Sequence, residues 1–147
     1  VNNGTFEFQK LTPNLEKTMG KPKTMFKAGD VQWTKSFVDK KNWNTYGTVS
    51  DGAWFYRTKN NDLLMLWSSF GEAGYAVGLA KSSNGRLNGK WKQLPALYTN
   101  DGGHPMIFKT FEGKMILSIH QPNKGDIRAK FIEIEEKNNL LILGKEL

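Results

Sequence analysis

Apolar residues along this chain come in short runs broken by polar turn signals, and no run keeps a helical period for three turns. The runs at 5–11, 22–28, 53–58, 63–69, 74–82, 93–99, 106–110, 114–121, 129–135 and 140–144 are rich in β-branched and aromatic side chains. Between them stand "KNND", "SSNG", "FEGK" and "PNKGD", which carry the Gly, Asn, Asp and Pro residues that tight turns require. The pattern predicts an all-β chain.

The strands also repeat. "DGAWFYRTKNNDLLMLWSS" (51–69) has the same layout as "GHPMIFKTFEGKMILSIHQ" (103–121), with Arg57-Thr58 falling over Lys109-Thr110 at an offset of 52 residues. That offset is close to the length of a four-stranded propeller blade, about 40 to 50 residues. Each hairpin is followed by a third strand, "YAVGLAKS" or "RAKFIEIE", and a fourth, "LPALYT" or "NLLILG". The N-terminal "TFEFQKL" and "KPKTMFKA" resemble third and fourth strands with no hairpin before them. The expected organisation is therefore about two and a half β-propeller blades: the outer half of one in 1–30, a whole blade in 50–100 and a last one in 101–147. A small β-sandwich with accidental hairpin similarity is the alternative.

Composition narrows the field. At 147 residues, with 12% aromatics including five Trp and nine Phe, the chain has the size and core material of one folded domain. The absence of cysteine excludes disulfides, thiolate metal sites and a cysteine nucleophile. No apolar stretch has bilayer-spanning length, and "VNNGTFEF" does not read as a signal peptide, so no membrane partner is expected and the compartment stays open. The net charge of +7 is carried by dispersed lysines, read as a solvated surface with no nucleic-acid partner.

The repeat gives meaning to Asp51. The first strand of a propeller blade lies innermost and its ends open on the axial faces. Asp51-Gly52 falls over Gly103-His104, so Asp51 and His104 are expected to converge near one mouth of a central channel. An acid beside Trp54 can have its proton affinity raised by desolvation, as a general acid requires, and glycoside hydrolysis needs such an acid plus a second carboxylate. Trp43, Trp54, Trp67 and Phe70 offer flat faces to a sugar ring, although strand aromatics are more often core. Glu72 and Asp101 are the other loop acids near the expected mouth, most simply read as solvated turn residues. His104 alone makes no zinc site, and His120 can face the channel or a neighbouring blade.

At these residues, "DGAWFYRTKNNDLLMLWSSFGEAGYAVGLAKSSNGRLNGKW" followed by "DGGHPMIFKTFEGKMILSIHQPN" resembles the later blades of glycoside hydrolase family 43, over roughly two-thirds of the chain from "KPKTMFKAGD" to "HQPN". The resemblance implies a five-bladed propeller that cleaves arabinose- or xylose-containing glycans with inversion, using a base Asp, a tuning Asp and an acid. It places the acid at Asp51, where the family usually has Glu, and Ala53 where it usually has Pro. Taken with the flat faces and loop acids read above, the substrate-binding residues would be Trp54, Trp67, Phe70, Glu72 and His104. No cofactor is required; His104 would help hold, through water, a hydrated ion that is often calcium. The base and tuning Asp belong to earlier blades that find no match here. The implied entity is the C-terminal part of an enzyme with a secreted or periplasmic parent, inactive as an isolated fragment, whose ring is closed by the missing blades or by self-association. The alternative is a non-catalytic carbohydrate-binding propeller fragment.

Overall fold

The computed structural model describes residues 3–39 and 44–147. Among them are twelve strands in four antiparallel sheets. Strands β1 (Thr5–Leu11) and β2 (Thr18–Lys27) form a hairpin, and β3 (Phe37–Asp39) pairs with β4 (Asn44–Gly47). Strands β5 (Asp51–Arg57), β6 (Leu63–Gly71), β7 (Gly74–Ser82) and β8 (Trp91–Tyr98) make one four-stranded meander; β9 (Gly103–Lys109), β10 (Met115–Gln121), β11 (Arg128–Lys137) and β12 (Leu140–Glu146) make a second. The chain is all-β and built of propeller-type blades, as its pattern predicts. Two details differ. β2 begins at Thr18, four residues before the predicted run, because β1 and β2 stay paired out to Leu11 and Thr18. The β3–β4 pair was not predicted, since strands of three and four residues carry too little alternation to be read.

The 52-residue offset is a repeat of backbone geometry as well as of letters. Thr58 N–H donates to Asp62 O (3.0 Å) and Asn61 N–H to Thr58 O (2.9 Å); one repeat later Thr110 N–H donates to Lys114 O (2.8 Å) and Gly113 N–H to Thr110 O (3.0 Å). Both loops close on a left-handed residue, Asn61 at φ +68° and Gly113 at φ +83°, and in both the Thr hydroxyl accepts the N–H four residues on. Asn and Gly are the residues that tolerate that conformation, which is why "KNND" and "FEGK" build the same turn.

Strand β6 sits at the centre of the packing and is buried on both faces from Leu63 to Ser69. Successive side chains of a strand point to opposite faces. Leu64 and Leu66 join Val77 and Leu79 against Ile107, Leu117, Ile119, Ile132, Ile134 and Leu141 of the second meander. Met65 and Trp67, one residue out of phase, join Ala80 against Phe6 of the β1–β2 hairpin and against Ala28 and Val31 just beyond it. Full burial of each large apolar side chain contributes about 1.5–3 kcal/mol. The stack of hairpin, first meander and second meander thereby brings the inner strands β5 and β9 side by side, and their N-terminal ends meet.

Candidate functional site

Both inner strands join their sheets through a bulge at the same place in the repeat. In β5 the register moves from Asp51 opposite Ser68 to Trp54 opposite Leu66, three residues against two; in β9 it moves from Gly103 opposite His120 to Met106 opposite Ser118, again three against two. The residues that absorb the extra length are Gly52 at φ +55° and His104 at φ +52°. Glycine adopts this conformation freely, whereas a histidine there carries strain of order 1–3 kcal/mol, which persists only where the surroundings enforce it. Bulges of this kind re-aim a side chain, and here the His104 imidazole is directed at the start of the other strand. The two strand starts are in contact: a Cβ on Gly52 would lie 2.8 Å from His104 Cα.

A polar cluster forms where they touch. Asp51 Oδ1 accepts the Gly52 N–H at 2.9 Å. Asp51 Oδ2 accepts the Tyr75 hydroxyl at 3.2 Å and lies 3.1 Å from His104 Nε2. The His104 backbone N–H donates to Ser68 Oγ at 3.0 Å. Ser68 and Tyr75 form a buried floor, while Asp51 and His104 are 46% and 50% exposed at the mouth. Burial, and next the negative charge of Asp51, hold the Tyr75 phenol well above its ordinary range, so it remains a proton donor to the carboxylate. The Tyr75 ring lies parallel to His120 at 5.6 Å, and His120 is 5.1 Å from the His104 ring. His120 Nε2 is 2.9 Å from Asn123 Oδ1.

Glycine and an aspartate fix this arrangement. Gly103 packs so tightly that an added Cβ would stand 2.2 Å from Tyr75 Cε1 and 3.0 Å from Ser68 Oγ. Asp101 Oδ1 accepts the Tyr75 N–H and its Oδ2 accepts the Asn123 N–H, both at 3.1 Å. Asp101 thus ties β7 to the loop after β10.

The sequence-designated residues separate into groups. Asp51 and His104 meet, as their offset implies, and His120 joins them through Tyr75. Trp54 packs against the apolar cluster between the meanders. Trp67 offers no face to a sugar, because it is fully buried among Phe6, Phe26 and Trp33 at 5.5, 5.4 and 4.8 Å. Phe70 is half-buried edge-on to Tyr75 at 4.9 Å, at the border of the cluster. Glu72 is exposed and paired with Lys35 at 2.7 Å, which holds its carboxyl below the usual range through that bond; it lines a groove of about 420 Å³ with Trp33, apart from Asp51. Trp43 lies outside the described residues. Tyr75 and Ser68 were missed, because each sits inside a continuous apolar run that reads as core.

A calcium ion takes six to eight oxygen ligands. Among the described residues no three His, Cys, Asp or Glu side chains converge to hold a metal, and the Asp51 carboxylate is engaged by three hydrogen-bonding groups. The donor set does not fit direct coordination of a metal.

No protein-family model and no curated protein matches this sequence. A solved structure does match: the endo-arabinase from Bacteroides thetaiotaomicron, with a TM-score of 0.85 and 35% identity over 92% of this chain. The match spans 48% of that enzyme's chain, so this chain corresponds to about half its length.

Proposed function

We propose that this chain is the C-terminal part of a glycoside hydrolase of the family 43 type, acting on arabinose-containing glycans, with Asp51 as the group that meets the glycosidic oxygen. The observation that carries the reading is the junction of two bulged inner strands at which Asp51, His104 and Tyr75 share hydrogen bonds at an open mouth, in a chain 35% identical to an endo-arabinase. In this reading Asp51 is the general acid. Its Oδ2 lies within hydrogen-bond reach of His104, so a proton delivered to the leaving oxygen can be replaced through the imidazole. Tyr75 and Ser68 hold the two groups in register. Hydrolysis with inversion needs a second carboxylate about 6.5–9.5 Å away to activate water. Asp101 is committed to two backbone N–H groups and Glu72 to Lys35, so the base is assigned to the half of the enzyme that this chain does not match. Xylosides are a second substrate class within the same proposal.

A binding-only role is favoured by that same shortage of a second carboxylate. Asp51 and His104 would then accept and donate hydrogen bonds to sugar hydroxyls. The deciding experiment measures hydrolysis of linear arabinan and of aryl arabinofuranosides and xylosides by the intact chain, its mass verified, alone and mixed with the half of the matched endo-arabinase that it does not cover, beside Asp51→Asn. Turnover in the mixture, reduced about 100-fold or more in the variant, supports the acid assignment. Arabinan binding without turnover in the mixture supports the binding role, and neither binding nor turnover overturns both.

A further inference from the structure

The excess positive charge of this chain is not spread evenly over the fold. Residues 3–27 hold five lysines against two glutamates, and residues 83–98 hold Arg86, Lys90 and Lys92 with no acid. Six of the seven net charges therefore belong to two segments, and the structure sets them against each other. The β1–β2 hairpin and the loop after β7 enclose a groove of about 540 Å³ lined by Phe8, Lys10, Met19, Lys21, Lys23 and Leu87 among others, with no carboxylate in its walls. Lys10, Lys21 and Lys23 are all exposed. The ion pairs formed among the described residues involve other cations, so none of these three is neutralised.

Local structure explains why they cluster. Lys21 and Lys23 are two apart on β2, where alternate residues share a face about 7 Å apart. Phe8 stands opposite Lys23, and Lys10 opposite Met19, in the β1–β2 register. The Gln9 side chain donates to Gly20 O at 2.7 Å and pins the strands at the middle of the groove. The result alternates cations with apolar side chains along one wall. Like charges this close repel, and three of them outside any ion pair present a surface complementary to an anionic polymer.

We propose that this groove binds an acidic polysaccharide, a chain of uronate sugars, at a site separate from Asp51 and His104. Carboxylates spaced along the polymer pair with Lys10, Lys21 and Lys23, while Phe8, Met19 and Leu87 take the apolar faces of the rings. The choice of a glycan over a nucleic acid rests on the functional reading above and on the groove itself, where Phe8 is the lone aromatic and is half-buried, short of the stacking platform single strands use.

The test is affinity electrophoresis and calorimetry of the whole chain with polygalacturonate, with neutral linear arabinan and a single-stranded oligonucleotide as parallel probes. Polygalacturonate is expected to bind, to weaken steeply as salt rises from about 50 to about 200 mM, and to lose about tenfold or more in affinity in the Lys10→Gln/Lys21→Gln/Lys23→Gln variant. A control that removes equal charge elsewhere, Lys109→Gln/Lys124→Gln/Lys145→Gln, is expected to keep most of the affinity. Equal loss in both triple variants, no binding of polygalacturonate, or tighter binding of the oligonucleotide overturns the proposal. Asp51→Asn leaves polygalacturonate binding intact, so failure of the catalytic assignment and failure of this one are read separately.

Discussion

At the scale of single residues, the cluster at the starts of β5 and β9 is held by contacts that tolerate no added atoms. Gly103→Ala would drive a methyl into the Tyr75 ring and Ser68. Overpacking of this kind costs about 1–3 kcal/mol, and the expected outcome is a lowered urea midpoint together with loss of the proposed arabinan binding. Tyr75 carries a pH consequence as well. Its folded proton affinity is raised, by burial first and by Asp51 second, and Tyr56 is raised by burial and by Glu136. An acid whose folded pKa lies above its unfolded value contributes stability that is complete below the unfolded value, near 10, and is lost as pH rises above it. Urea unfolding between about pH 8 and 11 is therefore expected to show falling stability above about pH 10, with a shallower fall in Tyr75→Phe. Asp51 and His104 were legible in the sequence because the 52-residue offset aligned the starts of two strands. Tyr75 and Ser68 were not, since a polar atom inside an apolar run is indistinguishable from core until the opposing strand is placed. Trp67 was misassigned for the related reason that β6 is covered on both faces, which erases the alternation that would show which way a side chain points.

At the scale of elements, the two meanders are joined by one polar clamp at the end opposite the site. Glu136 on β11 accepts the Tyr56 hydroxyl at 2.9 Å and the Lys59 N–H at 3.1 Å from both of its oxygens. It thus ties the end of β5 and the β5–β6 turn to the second meander, which fixes the angle at which β5 and β9 approach each other. Glu136→Ala leaves the partly buried Tyr56 hydroxyl with only the weak Met115 thioether, at 3.5 Å, as its acceptor. It is expected to destabilise the chain by about 1–3 kcal/mol, read from the urea midpoint, and to weaken the proposed arabinan binding although Glu136 is remote from Asp51. Glu136→Gln, which retains an acceptor oxygen, is expected to recover most of the loss. The meanders and their hairpins were readable from the sequence because Thr58 and Thr110 close the same turn with the same hydrogen bonds. The clamp was not, because it joins residues about eighty apart through geometry that only the packed sheets define.

At the scale of the whole molecule, the repeat compares a covered face with an open one. On the first meander Trp54 and Tyr56 are packed beneath the second. Their counterparts 52 residues on, Met106 and Phe108, have nothing over them and are 43% and 37% exposed, with Phe131 at 40% packed edge-on against Phe108. A face built on the same plan as a buried one, and left apolar, favours association. In the isolated chain the available occupant is a second copy offering the same face. Sedimentation velocity across a concentration series is expected to show reversible dimers of the wild type. Phe108→Glu/Phe131→Lys places charge at the centre of that face without touching the core between the meanders or the Asp51 cluster, so it is expected to sediment as a folded monomer with an unchanged circular-dichroism spectrum. A wild type that stays monomeric at every concentration would show that the β9–β12 face does not self-associate, and a double variant that still dimerises would assign the association to another surface.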